Sequence, residues 1–182
     1  MSLALTRRRA GLLAVTAAAT ALTLGAGVAQ SAQALPRAAT SRGSVACTGA
    51  NTKVTAQQVS RPINHLLLTV RNTGRKVCYL YGYPAVQVPG AQAVPPVVGE
   101  SRPQAVVTLK PGQSGYAGVL LSSADGSGGH GETVKSFRVW FQNRALAFTG
   151  SSATVHLRKG VYADESLRVT YWETSPSTAL TW

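Results

Sequence analysis

The sequence predicts an all-β fold: an antiparallel immunoglobulin-like β-sandwich that follows an N-terminal signal segment. Three observations predict it. Runs of alternating or β-branched residues recur between turn signals from Lys53 to Trp172. No stretch after the N-terminal segment carries an i, i+3, i+4, i+7 apolar stripe. Seven to nine such strands within roughly 150 residues match the size of a two-sheet sandwich.

Residues 1–34 differ from the rest. Arg7, Arg8 and Arg9 form a positive start, and Ala10 to Ala29 then carries no charge. Ala32-Gln33-Ala34 supplies the small residues that a signal peptidase accepts. The segment reads as a cleaved signal peptide, because Ala, Gly and Thr make it weakly hydrophobic for a membrane anchor. Thr6-Arg7-Arg8 begins like a twin-arginine signal, but Ala10-Gly11 stands where larger apolar residues are preferred. Cys47 lies too far beyond the apolar stretch for lipidation. The expected organisation is a signal peptide at 1–34, a flexible lead-in at 35–46 and one domain at 47–182. The expected location is extracellular or wall-associated, with no stable membrane insertion after cleavage.

The elements follow in order. Lys53 to Val59 alternates apolar and polar residues. Asn64 to Arg71 places Leu66, Leu68 and Val70 on one face and His65, Leu67, Thr69 and Arg71 on the other. Asn72-Thr73-Gly74 marks a turn, because Asn and Gly tolerate positive φ. Val77 to Tyr81 and Ala85 to Val88 are two short strands, with Gly82 allowing a bend and Pro84 suiting an edge. Ala91 to Pro103 is a proline-rich loop or edge. Val106 to Leu109 runs into the Lys110-Pro111-Gly112-Gln113 turn. Ser114 to Leu121 is a strand, and Ser122 to Gly131 is a flexible glycine-rich loop. Phe137, Val139 and Phe141 alternate with Arg138 and Trp140; Thr154 to Leu157 and Ser166 to Trp172 complete the set. Cys47 and Cys78 are the only cysteines. An even count in an exported chain reads as one disulfide; a redox or metal pair is the alternative, and it lacks Cys-x-x-Cys spacing.

Three segments carry a family resemblance. They are Leu68 to Gly74 followed by Cys78, then Cys78-Tyr79-Leu80-Tyr81-Gly82-Tyr83-Pro84, then Val107 to Ser114. In this order they resemble the secreted bacterial family called domain of unknown function 4232 (DUF4232), over roughly Cys47 to Trp172. The resemblance implies an exported immunoglobulin-like sandwich with Cys47 bonded to Cys78. Many members have a second cysteine pair in the later half; this chain has none. The family brings no established activity.

Catalytic chemistry is hard to find in the residues. The six acids are Glu100, Asp125, Glu132, Asp164, Glu165 and Glu173, and only Asp164-Glu165 is a pair, read as a solvated turn. Neither Gly-x-Ser-x-Gly nor Ser-x-x-Lys occurs. His65, His130 and His156 are widely spaced and read as structural or surface residues rather than metal ligands. No cofactor and no metal are expected, and the chain is not expected to be an enzyme. The one strong signal is charge. The full chain carries a net +12, with only 13% charged residues. Cations cluster at Arg71, Arg75 and Lys76, at Arg158 and Lys159, and at Arg138 and Arg144. The expected function is a non-enzymatic extracellular or envelope interaction module. Its candidate surface is Arg71, Arg75 and Lys76 with the tyrosine face of Tyr79, Tyr81 and Tyr83, and its partners are cell-wall polyanions or an envelope protein. Specific nucleic-acid binding is not expected, because no binding motif accompanies the charge. The alternatives are a hydrolase whose Ser–His site assembles in space, and a passive structural domain.

Overall fold

In the computed structural model, residues 45–182 are described; the signal segment and most of the lead-in lie outside the described residues. Alternation becomes two facing sheets. One contains β1 (Val45–Ala46), β4 (Cys78–Gln87), β5 (Val107–Leu109), β7 (Glu132–Gln142) and β8 (Ala153–Ala163). The other runs β2 (Thr52–Gln58), β3 (His65–Asn72), β6 (Ser114–Leu120) and β9 (Arg168–Val169) in that order. A one-turn 3-10 helix covers Gly99–Ser101, and α1 covers Pro176–Ala179.

The core forms where the two apolar faces meet. Leu66, Leu68 and Val70 of β3 stand opposite Val119, Ala117 and Gly115 of β6 and are fully buried. From the other sheet come Leu80, Val86, Val139, Phe141 and Val155. Phe141 stacks on Trp172 at 5.9 Å, and the Trp172 ring is 1% exposed. Fully burying each such aliphatic or aromatic side chain contributes about 1.5–3 kcal/mol. The alternation read from residues 64–71 therefore gives the correct inward face, with one exception. His65 is buried on the opposite face, its ring nitrogens lying against the carbonyls of Ile63 at 2.6 Å and Trp182 at 3.1 Å.

Several elements differ from the sequence expectation. The lead-in does not extend to residue 46: Val45–Ala46 pairs with Cys78 and Tyr79 in parallel, so the sandwich is not wholly antiparallel. The two short strands expected at 77–81 and 85–88 are one strand, β4. Its ladder to β7 is interrupted between Tyr81 and Ala85. Gly82 sits there at φ +60°, where a Cβ would collide with the Gln142 side chain. Pro84 is buried at this interruption rather than at an edge, because an unladdered position needs no N–H. The strand expected at 166–172 shrinks to Arg168–Val169, and Val97 bridges it from the proline-rich loop.

Glycines in the 122–131 loop serve close approach. A Cβ on Gly128 would strike the Asp164 carboxylate, one on Gly129 the Glu165 side chain, and one on Gly131 the Tyr162 ring. At the C-terminal end, Ser175 caps α1 by accepting from the Thr178 N–H, and Pro176 opens the helix. Ala179 packs so closely on β6 that Gly118 has no room for a side chain.

Cys47 and Cys78 are disulfide-bonded and buried. The bond joins the chain just after β1 to the first residue of β4. It closes a loop of 31 positions, for which chain entropy gives about 3–4 kcal/mol. The paired substitution C47A/C78A is expected to lower the unfolding free energy by about that much in a denaturant titration. An unchanged midpoint would show that the bond contributes nothing to stability.

Candidate functional site

The site begins with a buried amide. Asn72 ends β3 on the inward face and is 1% exposed. A buried side-chain amide must find partners. Its Nδ2 donates to the carbonyl oxygens of Lys76 at 2.8 Å and Leu109 at 2.9 Å, and its Oδ1 accepts from the Gly74 N–H at 2.9 Å. The Asn72 backbone N–H donates to Gln113 O, and Gly112 N–H donates to Asn72 O. Leu109 belongs to β5, in the five-stranded sheet, so one side chain ties two turns and both sheets together. The turn at residues 72–74 thus forms through side-chain bonding. Neither Asn72 nor Gly74 has positive φ, contrary to the reason the sequence suggested.

This clamp places cations together. Arg71 points to solvent directly opposite Lys53 of β2 and Ser114 of β6. Like charges in facing strand positions are unfavourable. The Arg71 guanidinium reaches over the β5–β6 turn, with Nη2 3.6 Å from where a Gly112 Cβ would stand. Arg75 and Lys76 are exposed in the connection to β4, and Lys110 is exposed in the β5–β6 turn. Lys53 and Lys110 join the predicted trio only through strand register and the Asn72 clamp. The Lys110-Pro111-Gly112-Gln113 turn signal marked the position without its neighbours.

Four of the six acidic residues lie at the other end. β6 runs from Ser114, opposite Arg71, to Leu120, opposite His65, and its seven residues span about 20 Å. At that far end Asp164 N–H donates to Leu121 O. Asp164 Oδ1 accepts from Ser166 N–H at 2.9 Å and from the Ser166 hydroxyl. Glu165 follows it, Glu132 begins β7 opposite Ala163, and Asp125 lies in the loop packed on Asp164. Arg61 and Arg168 lie at this end as well, so charge there is mixed. The Asp164–Glu165 pair holds a turn, as its sequence context suggested.

The expected tyrosine face does not form. Tyr79 and Tyr81 stack at 5.9 Å, and Tyr81 is only 8% exposed. Tyr83 lies past the β4 irregularity, packs against the core and meets Tyr171 edge-on at 5.4 Å. The period-two argument fails there, because the interrupted ladder breaks the alternation. The other basic groups separate: Arg138 lies over the Trp140 ring at 6.0 Å, Arg144 sits beyond β7, and Arg158 and Lys159 sit on β8.

The histidines do not converge either. His65 is bound to backbone carbonyls, His130 is exposed in the glycine-rich loop, and His156 is exposed on β8. Ser136 stands opposite His156 in the ladder, but no hydrogen bond joins them among the described residues. Among the described residues no group of three His, Cys, Asp or Glu side chains is placed to hold a metal ion. No helix among them is long and apolar enough to cross a membrane.

A family model described as a domain of unknown function, DUF4232, matches residues 47–173. The chain belongs to the DUF4232 family. No curated protein and no solved structure matches it. In this DUF4232 domain the match covers both cysteines, the Asn72 clamp and the five cations grouped around it, and it ends at Glu173.

Two measurements test the site's construction. Replacing Asn72 with Ala strands the buried Leu109 carbonyl and loses the part-buried bonds to Lys76 O and Gly74 N–H, and is expected to cost about 1–3 kcal/mol by denaturant titration. A loss below about 0.5 kcal/mol would show that the clamp is dispensable. Glu173 is 7% exposed, and burial raises its carboxyl above the ordinary carboxylate range. A raised folded-state value means this group favours the fold at low pH and disfavours it as pH rises through that value. Glu173→Gln is therefore expected to be at least as stable as the parent at neutral pH, with its relative advantage fading on acidification. A Gln variant less stable at neutral pH than at acidic pH, relative to the parent, would reverse the sign.

Proposed function

We propose that the chain is exported and works without catalysis, as an interaction module of the cell envelope whose basic turn holds an anionic polymer. The observation that carries this reading is the grouping of Lys53, Arg71, Arg75, Lys76 and Lys110 around the buried Asn72 amide. Facing Lys53 and Arg71 repel one another across the ladder. A polyanion bound over both removes that repulsion and gains from each charge. The turn is held by hydrogen bonds and by the nearby disulfide, so little ordering is needed on binding. A repeating phosphate polymer of the wall suits such a surface better than a single small anion, since five separate cations reward repeated charge.

Export rests on the tripartite pattern of residues 1–34 and on the two cysteines being bonded to each other. The Tyr79–Tyr81 stack borders the disulfide and leaves Tyr79 half-buried, so it is a minor part of this surface.

Cosedimentation with isolated cell envelope across a salt series tests the proposal. Binding is expected to fall steeply as salt rises, because exposed charges are screened beyond about 8–10 Å at physiological ionic strength. R71A/R75A/K76A is expected to weaken low-salt binding about tenfold, from three surface pairings of modest strength each. Circular dichroism and the unfolding midpoint of this variant should match the parent. Equal binding by parent and variant, or retention that ignores salt, would defeat the basic-turn reading.

A further inference from the structure

On one side of the sandwich the two sheets approach each other without a ladder between them. β2 ends the four-stranded sheet and β8 ends the five-stranded one. Among the described residues β2 pairs only with β3, and β8 only with β7. The two outer edges flank a groove of about 780 Å³. Its floor holds Val54, Ala56 and Leu157, half-buried and packed against the core. His156, Arg158 and Lys159 line it from β8 and are exposed. No carboxylate among the described residues lines it.

Edges of soluble sheets are commonly shielded by bulges and by lysine. β8 has both: its register with β7 shifts between Val134 and Ser136, and Arg158 and Lys159 stand in the displaced stretch. β2 has neither over its groove-lining part. All seven of its residues are in unbroken register with β3, and Val54 to Gln58 contains no charge and no proline. Shielding therefore accounts for β8 and leaves the β2 edge as a regular row of unpaired backbone groups. That row faces apolar side chains below and cations across the groove.

We propose that this groove takes one extended acidic peptide segment, which adds as a strand to the free edge of β2. Period-two alternation sets its chemistry. One set of side chains, small and apolar, rests on Val54, Ala56 and Leu157. The other set, carboxylates, meets Arg158 and Lys159. Backbone hydrogen bonds to β2 supply the pairing, and charge supplies the choice of partner. A polyanion lacking peptide groups satisfies the cations but leaves both the β2 edge and the apolar floor unused.

The probe is an end-blocked peptide alternating valine and glutamate, titrated into the isotope-labelled protein. The expected result is slowed amide exchange in β2, from Val54 to Gln58, and saturable shifts there and at His156 to Lys159. N-methylating the alternate amides that face β2 is expected to weaken binding at least about tenfold, as is R158E/K159E. A peptide alternating valine and lysine should not bind the parent. R71A/R75A/K76A should bind the acidic peptide as the parent does, which separates this groove from the basic turn. Equal binding of the N-methylated peptide, or unchanged β2 exchange at saturation, would overturn the proposal. So would complete displacement of the peptide by an equal charge concentration of polyglycerol phosphate, which would identify the groove as a plain polyanion surface.

Discussion

The Asn72 side chain is the constraint on which the basic end of the molecule depends. Its amide has two donor hydrogens and an acceptor oxygen, and all are used inside the protein. Burial makes the bond to Leu109 strict, because water cannot replace that partner in the core, whereas the Lys76 and Gly74 groups lie nearer the surface. Leu109 O lies in one sheet and Asn72 in the other, so the bond also fixes how the sheets meet at that end. Arg71, Arg75, Lys76 and Lys110 are held near one another by this amide together with the Asn72 main-chain bonds to Gln113 and Gly112 and the β3–β6 ladder. They are carried on two separate turns that have no other side-chain link among the hydrogen bonds described.

Other close approaches complete the frame. The disulfide anchors the chain after β1 at the start of β4, a few residues from the clamp. At the opposite side Gly118 admits α1, and the Trp182 carbonyl meets the buried His65 ring. In the middle of β4, Gly82 and Pro84 turn what alternation alone would make a flat strand into a kinked one. The kink draws Tyr83 out of line with Tyr79 and Tyr81 and against Tyr171. Tyr81, before the interruption, is buried, and Tyr79 and Tyr83 on either side of it are half-buried.

Local pattern made much of this legible. Leu66, Leu68 and Val70 alternate plainly, and the two sheets, the disulfide and most turn positions follow from such signals. What stayed hidden is whatever depends on through-space neighbours. Lys53 and Arg71 are 18 residues apart in the sequence and become a pair only through the β2–β3 register. The role of Asn72 required knowing that Leu109 would arrive beside it. Val77 to Val88 reads as two strands because Gly and Pro normally punctuate, yet the backbone passes through both. The unladdered side between β2 and β8 has no sequence mark, since an edge is defined by what fails to pair. The glycines of residues 126–131 look like flexibility in one dimension, whereas Gly128, Gly129 and Gly131 prove to be clearance for Asp164, Glu165 and Tyr162.

The placement of charge along the strands makes the domain an electric dipole. Five cations sit at one end, and four carboxylates sit at the other, offset there by Arg61 and Arg168 and, slightly further along β7 and β8, by Lys135 and Lys159. Near a negatively charged boundary such a body experiences a torque as well as a pull. The torque turns the Asn72 end toward the boundary before any contact is made. The strands then stand across the boundary rather than along it, and the glycine-rich loop, with Asp125 and Glu165, faces the outer solution. Orientation is in this sense a property of the whole sandwich, set by where its turns fall.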